Sequence, residues 1–176
     1  VPIEFLAHLP KQALQPKAEF DARPLDVFNC WGFTHPSRAR AHADMMRLFA
    51  DDEINLVDGY GKMANMPKGS WLSVNTPAHL RRPMSEILKY QSMAKIALSF
   101  YGAGRKCFRH AEAPENCIMA HQANDLAWSY PWDDDNSIVL KEPYEVDGLR
   151  IALATGNLYD LYVASQQNLD KYRIEN

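Results

Sequence analysis

Four residues in the middle of the chain carry side chains that can bind zinc: Cys107, His110, Cys117 and His121. Thiolates and imidazoles are the usual ligands of structural zinc, and closely spaced pairs of them are typical of such sites. On a helix, Cys117 and His121 would lie one turn apart on the same face. The two pairs are separated by only six residues, fewer than zinc modules usually have. Zinc binding and ordinary unligated side chains therefore both remain open.

A second candidate for chemistry is the thiol of Cys30, in the segment Asn29-Cys30-Trp31-Gly32-Phe33. This segment superficially resembles the nucleophile segment of papain-like peptidases, in which the cysteine begins a helix whose dipole stabilises the thiolate. Here the next helix is predicted to begin only near Pro36, and no segment that would supply a catalytic histidine follows. A buried cysteine that acts as a small apolar side chain is the favoured interpretation.

Composition and charge limit the classes of protein further. The chain has 176 residues, of which 47% are hydrophobic, and a net charge of −3. These values predict one globular domain, exclude wholesale disorder and argue against a generic nucleic-acid binder. The charge is unevenly distributed, because residues 60–110 hold nine Lys or Arg against one acid, whereas residues 111–147 hold nine acids against one Lys. No apolar run is long enough for a membrane span.

Apolar periodicity and proline positions predict the elements that would carry these residues. The four prolines in residues 1–24 indicate an extended N-terminal arm, and residues 25–176 are predicted to form one helical domain. Helices are expected near residues 36–50, 83–101, 114–130 and 149–172. The apolar runs 54–60 and 149–154 are too short to distinguish helix from strand by periodicity alone.

One segment, Gly32-Phe33-Thr34-His35-Pro36-Ser37, resembles a motif near the start of ribonuclease III domains. Further segments resemble later motifs of that family and follow in the family's order: 52–59, 93–102, 149–159 and 164–172. The resemblance covers roughly residues 25–173. It implies an all-α fold, the helical fold of an RNase III endonuclease domain, and it makes both ambiguous segments helical.

The same resemblance implies that the domain is catalytically inactive. RNase III enzymes hold Mg²⁺ with a cluster of carboxylates. The family's acidic positions fall on Asp52, Asn55, Gly59, Leu149 and Ala152, so one carboxylate remains. A shift of one residue would add Asp58 but no acid in 149–152. We therefore expect no enzyme activity, no bound metal and no cofactor.

As an inactive RNase III domain without a double-stranded-RNA-binding domain, the chain resembles the RNase III-like proteins of the mitochondrial large ribosomal subunit. The resemblance implies a structural role in that subunit, in the mitochondrial matrix, where the chain would bind ribosomal RNA and neighbouring ribosomal proteins. It also implies a heterodimer with a second RNase III-like subunit. An import sequence removed before residue 1 would agree with the N-terminal Val1-Pro2.

The basic stretch, residues 60–110, is expected to contact the RNA, because Lys and Arg neutralise phosphates without regard to base sequence. The acidic stretch, residues 111–147, is then expected to face a basic protein or solvent. The residues predicted to bind RNA lie outside the apolar helix faces: Lys62, Lys68, Arg81, Arg82, Arg105, Lys106 and Arg109.

Two classes of alternative function remain open. The chain could be an accessory subunit of another RNA-processing complex, in which an inactive domain lends its dimer surface to an active nuclease. It could also be an active enzyme, either a divergent nuclease or a hydrolase that uses the thiol of Cys30. Cleavage by the isolated chain would distinguish the second class from the first.

Overall fold

The fold is built on a six-stranded sheet. The computed structural model describes residues 13–32, 35–58, 68–75, 83–100, 109–122, 131–141 and 146–174. The strands are β1 (Leu25–Trp31), β2 (Ile54–Asp58), β3 (Gly69–Asn75), β4 (Ala94–Ser99), β5 (Ile118–Gln122) and β6 (Ile138–Leu140). Their order across the sheet is β2-β3-β1-β4-β5-β6, and all neighbouring strands are parallel.

Helices connect most of the strands and complete the C-terminal part. The helices are α1 (Lys17–Asp21), α2 (Pro36–Leu48), α3 (Met84–Ser92), α4 (Arg109–Asn116), α5 (Asp147–Thr155) and α6 (Leu158–Ile174). Parallel neighbours require crossover connections, which here contain α2, α3 and α4. None of the described helices is long and apolar enough to cross a membrane, so the prediction of no membrane span is confirmed for this part of the chain.

The helices cover both faces of the sheet and form two apolar cores. On one face Val27, Trp71 and Ile96 of the sheet pack with Met45 of α2 and Leu149 of α5. On the opposite face, side chains of the sheet pack with side chains of α3, α4 and the end of α6. The sheet contributes Phe28, Leu72 and Ala97, and the helices contribute Ile87, Ala113 and Leu169. Because helices cover both faces, β1, β4 and β5 are buried along almost their whole length, and apolar residues occur on both faces rather than in alternation.

The all-α fold predicted from the sequence is wrong. The structure is α/β, and a six-stranded parallel sheet within residues 25–140 does not fit the helical RNase III fold that the resemblance implies. The central strand β1 and its neighbour β3 lie where no regular element was expected. Of the two ambiguous segments, 54–58 is a strand and 149–154 belongs to a helix.

The predicted helices differ in how well they agree with the structure. The helix expected at 36–50 is confirmed, because α2 covers Pro36–Leu48. Pro36 begins it, and the His35 side chain caps it by accepting a hydrogen bond from the Ser37 amide. The helix expected at 83–101 instead ends at Ser92, and β4 follows directly. A run of small and apolar residues suits a buried strand as well as a helix, and packing decides between them.

The C-terminal helices also depart from the predictions. The helix expected at 114–130 corresponds to the end of α4 and to β5, and residues 123–130 lie outside the described residues. The helix expected at 149–172 is divided at Gly156, whose φ of 75° is left-handed and ends α5. Gly156 is therefore a helix cap and not the close helix crossing that the resemblance implied.

The amino edge of the sheet, where the parallel strands begin, is closed by the buried side chain of Arg23. Its guanidinium donates to the carbonyl of Ala94 at 2.5 Å, the carbonyl of Asn116 at 2.6 Å and the Gln15 side chain. The same group lies over the rings of Phe20 and Tyr162. Arg23 thus joins the N-terminal segment to β4, α4 and α6. α1 itself lies within residues 1–24, where the sequence indicates an extended arm.

The C-terminal half of α6 is held at the same edge. Arg173 forms ion pairs with Glu115 of α4 and, at 2.9 Å, with Asp170. Gln166 donates to the Pro114 carbonyl, and Asn168 donates to the Pro131 carbonyl at 3.1 Å. Glu115 is 2% exposed, and this burial raises its pKa to about 7 although Arg173 opposes the shift. Charged and amide side chains therefore connect α6 to the chain segments that lead into β5 and β6.

Candidate site at the carboxyl edge of the sheet

At the opposite edge of the sheet, the pairing of β1 with β4 stops before the strands end. These strands pair from Leu25 and Ala94 to Phe28 and Ala97, yet β1 continues for three further residues and β4 for two. On its other side β1 stays paired with β3 as far as Trp31. The separation at the carboxyl ends of β1 and β4, together with the residues around it, is called the crevice below.

The crevice lies where the connections between strands change direction across the sheet, since β1 leads towards one side and β4 towards the other. The connection that leaves β1 forms α2 on one face of the sheet, and the connection that leaves β4 leads to α4 on the opposite face. Open parallel α/β sheets bind their ligands at such a switch point, outside the carboxyl ends of the strands. The topology therefore marks the crevice as the candidate site before any side chain is considered.

Trp31, the last residue of β1, lies at the crevice on the α2 face of the sheet. Its indole contacts the Phe100 ring edge to face, with centroids 5.6 Å apart, and the residue is only 4% exposed. Its Nε1 has no hydrogen-bond partner among the described residues. An indole N–H can only donate, and leaving such a donor buried and unpaired costs about 1–3 kcal/mol. An acceptor from a ligand would remove this cost.

Ser99, the last residue of β4, is the second unsatisfied group. It lies on the other face of the sheet from Leu98 and Phe100, is fully buried, and its Oγ has no partner in the described part of the chain. Within the described residues, the crevice therefore has a polar side chain without a partner on each face of the sheet, Trp31 on one and Ser99 on the other. This arrangement suits a ligand that places polar atoms on both sides of the sheet edge.

A second tryptophan on the α2 face provides an internal comparison. Trp71 Nε1 donates to the Asn29 side chain at 2.6 Å, and Asn29 Nδ2 in turn lies 2.9 Å from Ser73 Oγ. These groups are all buried in the middle of the sheet, and their hydrogen bonds are made within the protein. A buried indole N–H of this sheet can therefore be satisfied by a neighbouring side chain, as in Trp71. The indole N–H of Trp31 differs, because it has no such partner among the described residues.

The guanidinium of Arg38, on the first turn of α2, also reaches the crevice. It lies 3.1 Å from the Gly32 carbonyl, directly after β1, and 3.4 Å from the Phe100 carbonyl, directly after β4. Arg38 is 9% exposed. A cation is thereby buried where the two strands separate.

The amino end of α2 does not offer free amides to an anion. Pro36 has no N–H, the Ser37 amide donates to His35 Nδ1 at 3.2 Å, and the Arg38 amide donates to the His35 carbonyl at 3.0 Å. Because Nδ1 accepts this bond, the neutral imidazole carries its proton on Nε2. Negative charge in the crevice would therefore be balanced by side chains rather than by this helix terminus.

The residues predicted to bind RNA divide into three groups. Lys68 is exposed and directly precedes β3 at the amino edge, and Arg109 begins α4. The remaining five lie outside the described residues: Lys62, Arg81, Arg82, Arg105 and Lys106. In the sequence these five follow β2, β3 or β4, within the connections that leave the carboxyl ends of those strands.

The zinc interpretation is not supported in the described part of the chain. Cys117 is buried and donates from Sγ to the Gln91 carbonyl at 3.1 Å, and burial raises its pKa to about 12. His121 lies four residues further along an extended segment, about 13 Å at strand spacing, and its Nε2 is 3.1 Å from Ser137 Oγ. No group of three potential ligands occurs among the described residues. Cys107 and the His110 side chain lie outside them.

The other sequence candidates are explained by packing. Cys30 is buried in β1 within the core on the α3 face and does not begin a helix.

The positions compared with the RNase III acids have structural contacts of their own. Asp52 pairs with Arg150 at 3.1 Å, Asn55 donates to the Lys68 carbonyl at 2.7 Å, and Leu149 is fully buried. Of the five positions compared with the RNase III acids, Gly59 lies outside the described residues. The described ones form no cluster of carboxylates.

Sequence reasoning missed Trp31, Arg38 and Ser99. A usable signal was present, because each of two apolar runs ends at a polar or aromatic residue and is followed by glycine-containing sequence and a helix. This strand–connection–helix pattern is typical of α/β ligand sites. A comparison with known protein families and with curated proteins found no match.

Proposed function

We propose that this chain is the binding domain for a nucleotide or a nucleotide-linked small molecule, which occupies the crevice between β1 and β4. The observation that carries the proposal is the end of the β1–β4 pairing at a topological switch point, with buried polar groups on Trp31 and Ser99 that have no partner among the described residues. Native proteins rarely leave such groups unpaired, and a ligand, an ion or water normally accounts for them.

The charge distribution supports an anionic ligand. The net charge of the chain is −3, yet five basic residues follow the carboxyl ends of β2, β3 and β4 in the sequence. Connections at this edge reach a ligand in doubly wound folds, whereas residues of the amino edge do not. Phosphate groups would account for the basic residues, and sugar and base atoms would account for the unpaired donors. A nucleotide supplies both kinds of atom.

The proposal does not depend on a phosphate-binding motif. The connection from β4 to α4 contains Gly102 and Gly104, but the chain has no complete glycine fingerprint of the dinucleotide or P-loop type. The structural role in the mitochondrial ribosome, and the absence of enzyme activity, remain predictions from the sequence. Both were drawn from a resemblance to an all-helical domain, so the crevice is the better basis for a function.

The proposal is tested by measuring binding to the purified chain with isothermal titration calorimetry. The probes are ADP, GDP, UDP, NAD⁺ and UDP-glucose, together with a 20-base-pair RNA duplex. We expect saturable one-to-one binding of at least one nucleotide probe. Length-dependent binding of RNA without any nucleotide binding would contradict the proposal and would favour the predicted contact with ribosomal RNA.

Two variants with the same charge change locate the site. The double substitution Arg105→Ser/Lys106→Ser removes two cations that follow β4 and should weaken nucleotide binding at least about tenfold, a loss of 1.4 kcal/mol. The control, Arg47→Ser/Lys89→Ser, removes two exposed cations from the last turns of α2 and α3, away from the carboxyl edge. Equal losses in the two variants would show only a general charge effect.

The described residues of the crevice are tested with Trp31→Phe. The substitution removes an N–H that has no partner among the described residues but keeps most of the ring packing against Phe100. We expect the free energy of unfolding of the ligand-free chain to change by less than about 1 kcal/mol, because relief of the buried, unpaired N–H is offset by the packing that the smaller ring loses. Nucleotide affinity should fall several-fold. Unchanged affinity would remove Trp31 from the site.

A further inference from the structure

Arg38 joins two strands that do not pair with each other at that point. The hydrogen bonds between β1 and β4 end three residues before the end of β1, and the Arg38 guanidinium lies beyond that end. Its two terminal nitrogens lie near different strands, Nη1 at 3.1 Å from the Gly32 carbonyl and Nη2 at 3.4 Å from the Phe100 carbonyl. The side chain therefore crosses the opening of the crevice on the α2 face.

A planar guanidinium suits this position for a geometric reason. It presents its donors in a fixed fork, so two carbonyls bound to it are held at a fixed separation. A lysine ammonium has the same charge but is a point donor on a flexible stem, and it does not impose such a separation. The Trp31 and Phe100 rings, which contact each other beside Arg38, depend on the same spacing between the strand ends.

We propose that Arg38 is a positioning residue that sets the spacing between the carboxyl ends of β1 and β4, and so the width of the crevice. The inference builds on the proposed nucleotide site, but it concerns a property of the ligand-free chain as well. Arg38 acts through the Gly32 and Phe100 carbonyls rather than as the cation that balances phosphate charge.

The two roles predict different results for conservative substitutions. If Arg38 positions the strands, Arg38→Lys and Arg38→Gln should lose nucleotide affinity to a similar extent, about tenfold or more, although only one of them keeps the charge. If Arg38 balances ligand charge, Arg38→Lys should bind nearly as well as the unmodified chain, and Arg38→Gln should not. The control is Arg40→Lys, an exposed position two residues further along α2.

A second measurement does not need the ligand. Amide hydrogen exchange in peptides that cover residues 29–32 and 98–100 should become at least about tenfold faster in Arg38→Lys, because the strand ends open more often. Exchange in β2 and β5 should stay unchanged, as should exchange everywhere in Arg40→Lys. If the strand ends exchange at the original rate, the positioning role is refuted.

The outcomes separate this inference from the proposed function. If no nucleotide binds to the unmodified chain, the proposed function fails, and hydrogen exchange alone decides the role of Arg38. If nucleotides bind and Arg38→Lys keeps both affinity and exchange rates, the positioning role fails while the proposed function stands. If Arg38→Gln does not fold, the comparison of Arg38→Lys with Arg40→Lys still gives both readouts.

Discussion

The two edges of the sheet use buried polar side chains in opposite ways. At the amino edge, Arg23 donates to carbonyls of two different segments and to the Gln15 side chain. At the carboxyl edge, Trp31 Nε1 and Ser99 Oγ are equally buried but have no partner among the described residues. The buried guanidinium and amide groups of the amino edge join elements to one another, although Glu115 Oε1 and Arg173 Nε there also lack a partner among the described residues. At the carboxyl edge, the only polar atom of each of the Trp31 and Ser99 side chains lacks one.

This difference indicates which buried polar groups stabilise the fold and which are available to bind a ligand. Buried polar groups that bond across elements hold those elements in place, and their removal leaves the former partners unsatisfied. Polar groups without partners destabilise the ligand-free state by a modest amount, which a ligand can recover on binding. Substitutions at the two edges should therefore have opposite patterns of effect on stability and on affinity.

The largest effect is expected at the amino edge. Arg23→Met should lower the free energy of unfolding by about 3 kcal/mol, because the Ala94 and Asn116 carbonyls lose their donor. Urea denaturation followed by circular dichroism measures the loss. The control Lys17→Met removes an exposed ion pair with Asp21 and a cation–π contact with the Tyr159 ring, and should cost no more than about 1 kcal/mol. A small loss for Arg23→Met would contradict the structural role of this edge.

A smaller effect is expected from the charge of Glu115. Its pKa is raised from 4.5 to about 7 by burial, so between these values the folded chain binds a proton that the unfolded chain has released. The associated stability is therefore complete below pH 4.5 and is lost as the pH rises towards 7. Relative to Glu115→Gln, the unmodified chain should lose about 2 kcal/mol between pH 5 and pH 8.

Thermal unfolding at several pH values tests this prediction. The difference between the unmodified chain and Glu115→Gln should be small at pH 5 and should grow with pH, in favour of the glutamine variant. Asp170→Asn changes the other acid beside Arg173, which is more exposed, and serves as the matched comparison. A difference between the chains that does not vary with pH would mean that Glu115 is not the group that titrates.

The smallest effect on stability is expected at the carboxyl edge. Ser99→Ala removes a buried hydroxyl that has no partner in the described part of the chain, so the free energy of unfolding of the ligand-free chain should change by less than about 1 kcal/mol, in the direction of greater stability. Nucleotide binding should nevertheless weaken, which calorimetry would measure. If Ser99→Ala destabilises the chain by several kcal/mol, the hydroxyl is paired inside the protein and the contrast between the edges is wrong.

The extent to which the fold could be predicted follows from the kind of signal each element carries. α2 has a capping histidine and a proline at its start, which are local signals, and it was predicted almost to its ends. β4 and β5 carry apolar residues on both faces because both faces are covered, and that burial is a property of the assembled sheet. Without partners in view, Ala94–Ser99 suited a helix equally well.

The candidate site was harder to predict, because its defining property is an absence of pairing. The sequence identifies Trp31 and Ser99, but only the register of β1 and β4 shows that the strands separate before these residues. The basic residues were recognisable from the sequence, but only the strand bounds show that they follow the carboxyl ends of β2, β3 and β4 along the chain. The RNase III resemblance covered the same segments and led to an all-helical fold.

The strand order has a consequence for how the chain folds during synthesis. β1 is the first of the described strands along the chain, yet its neighbours β3 and β4 begin 44 and 69 residues after it, at Gly69 and Ala94. A parallel sheet has no hairpin that could form locally, so the nascent β1 stays unpaired until residues up to Asn75 have left the ribosome. Until then its apolar side chains, such as Val27 and Phe28, are exposed, which is the period when a chaperone would bind it.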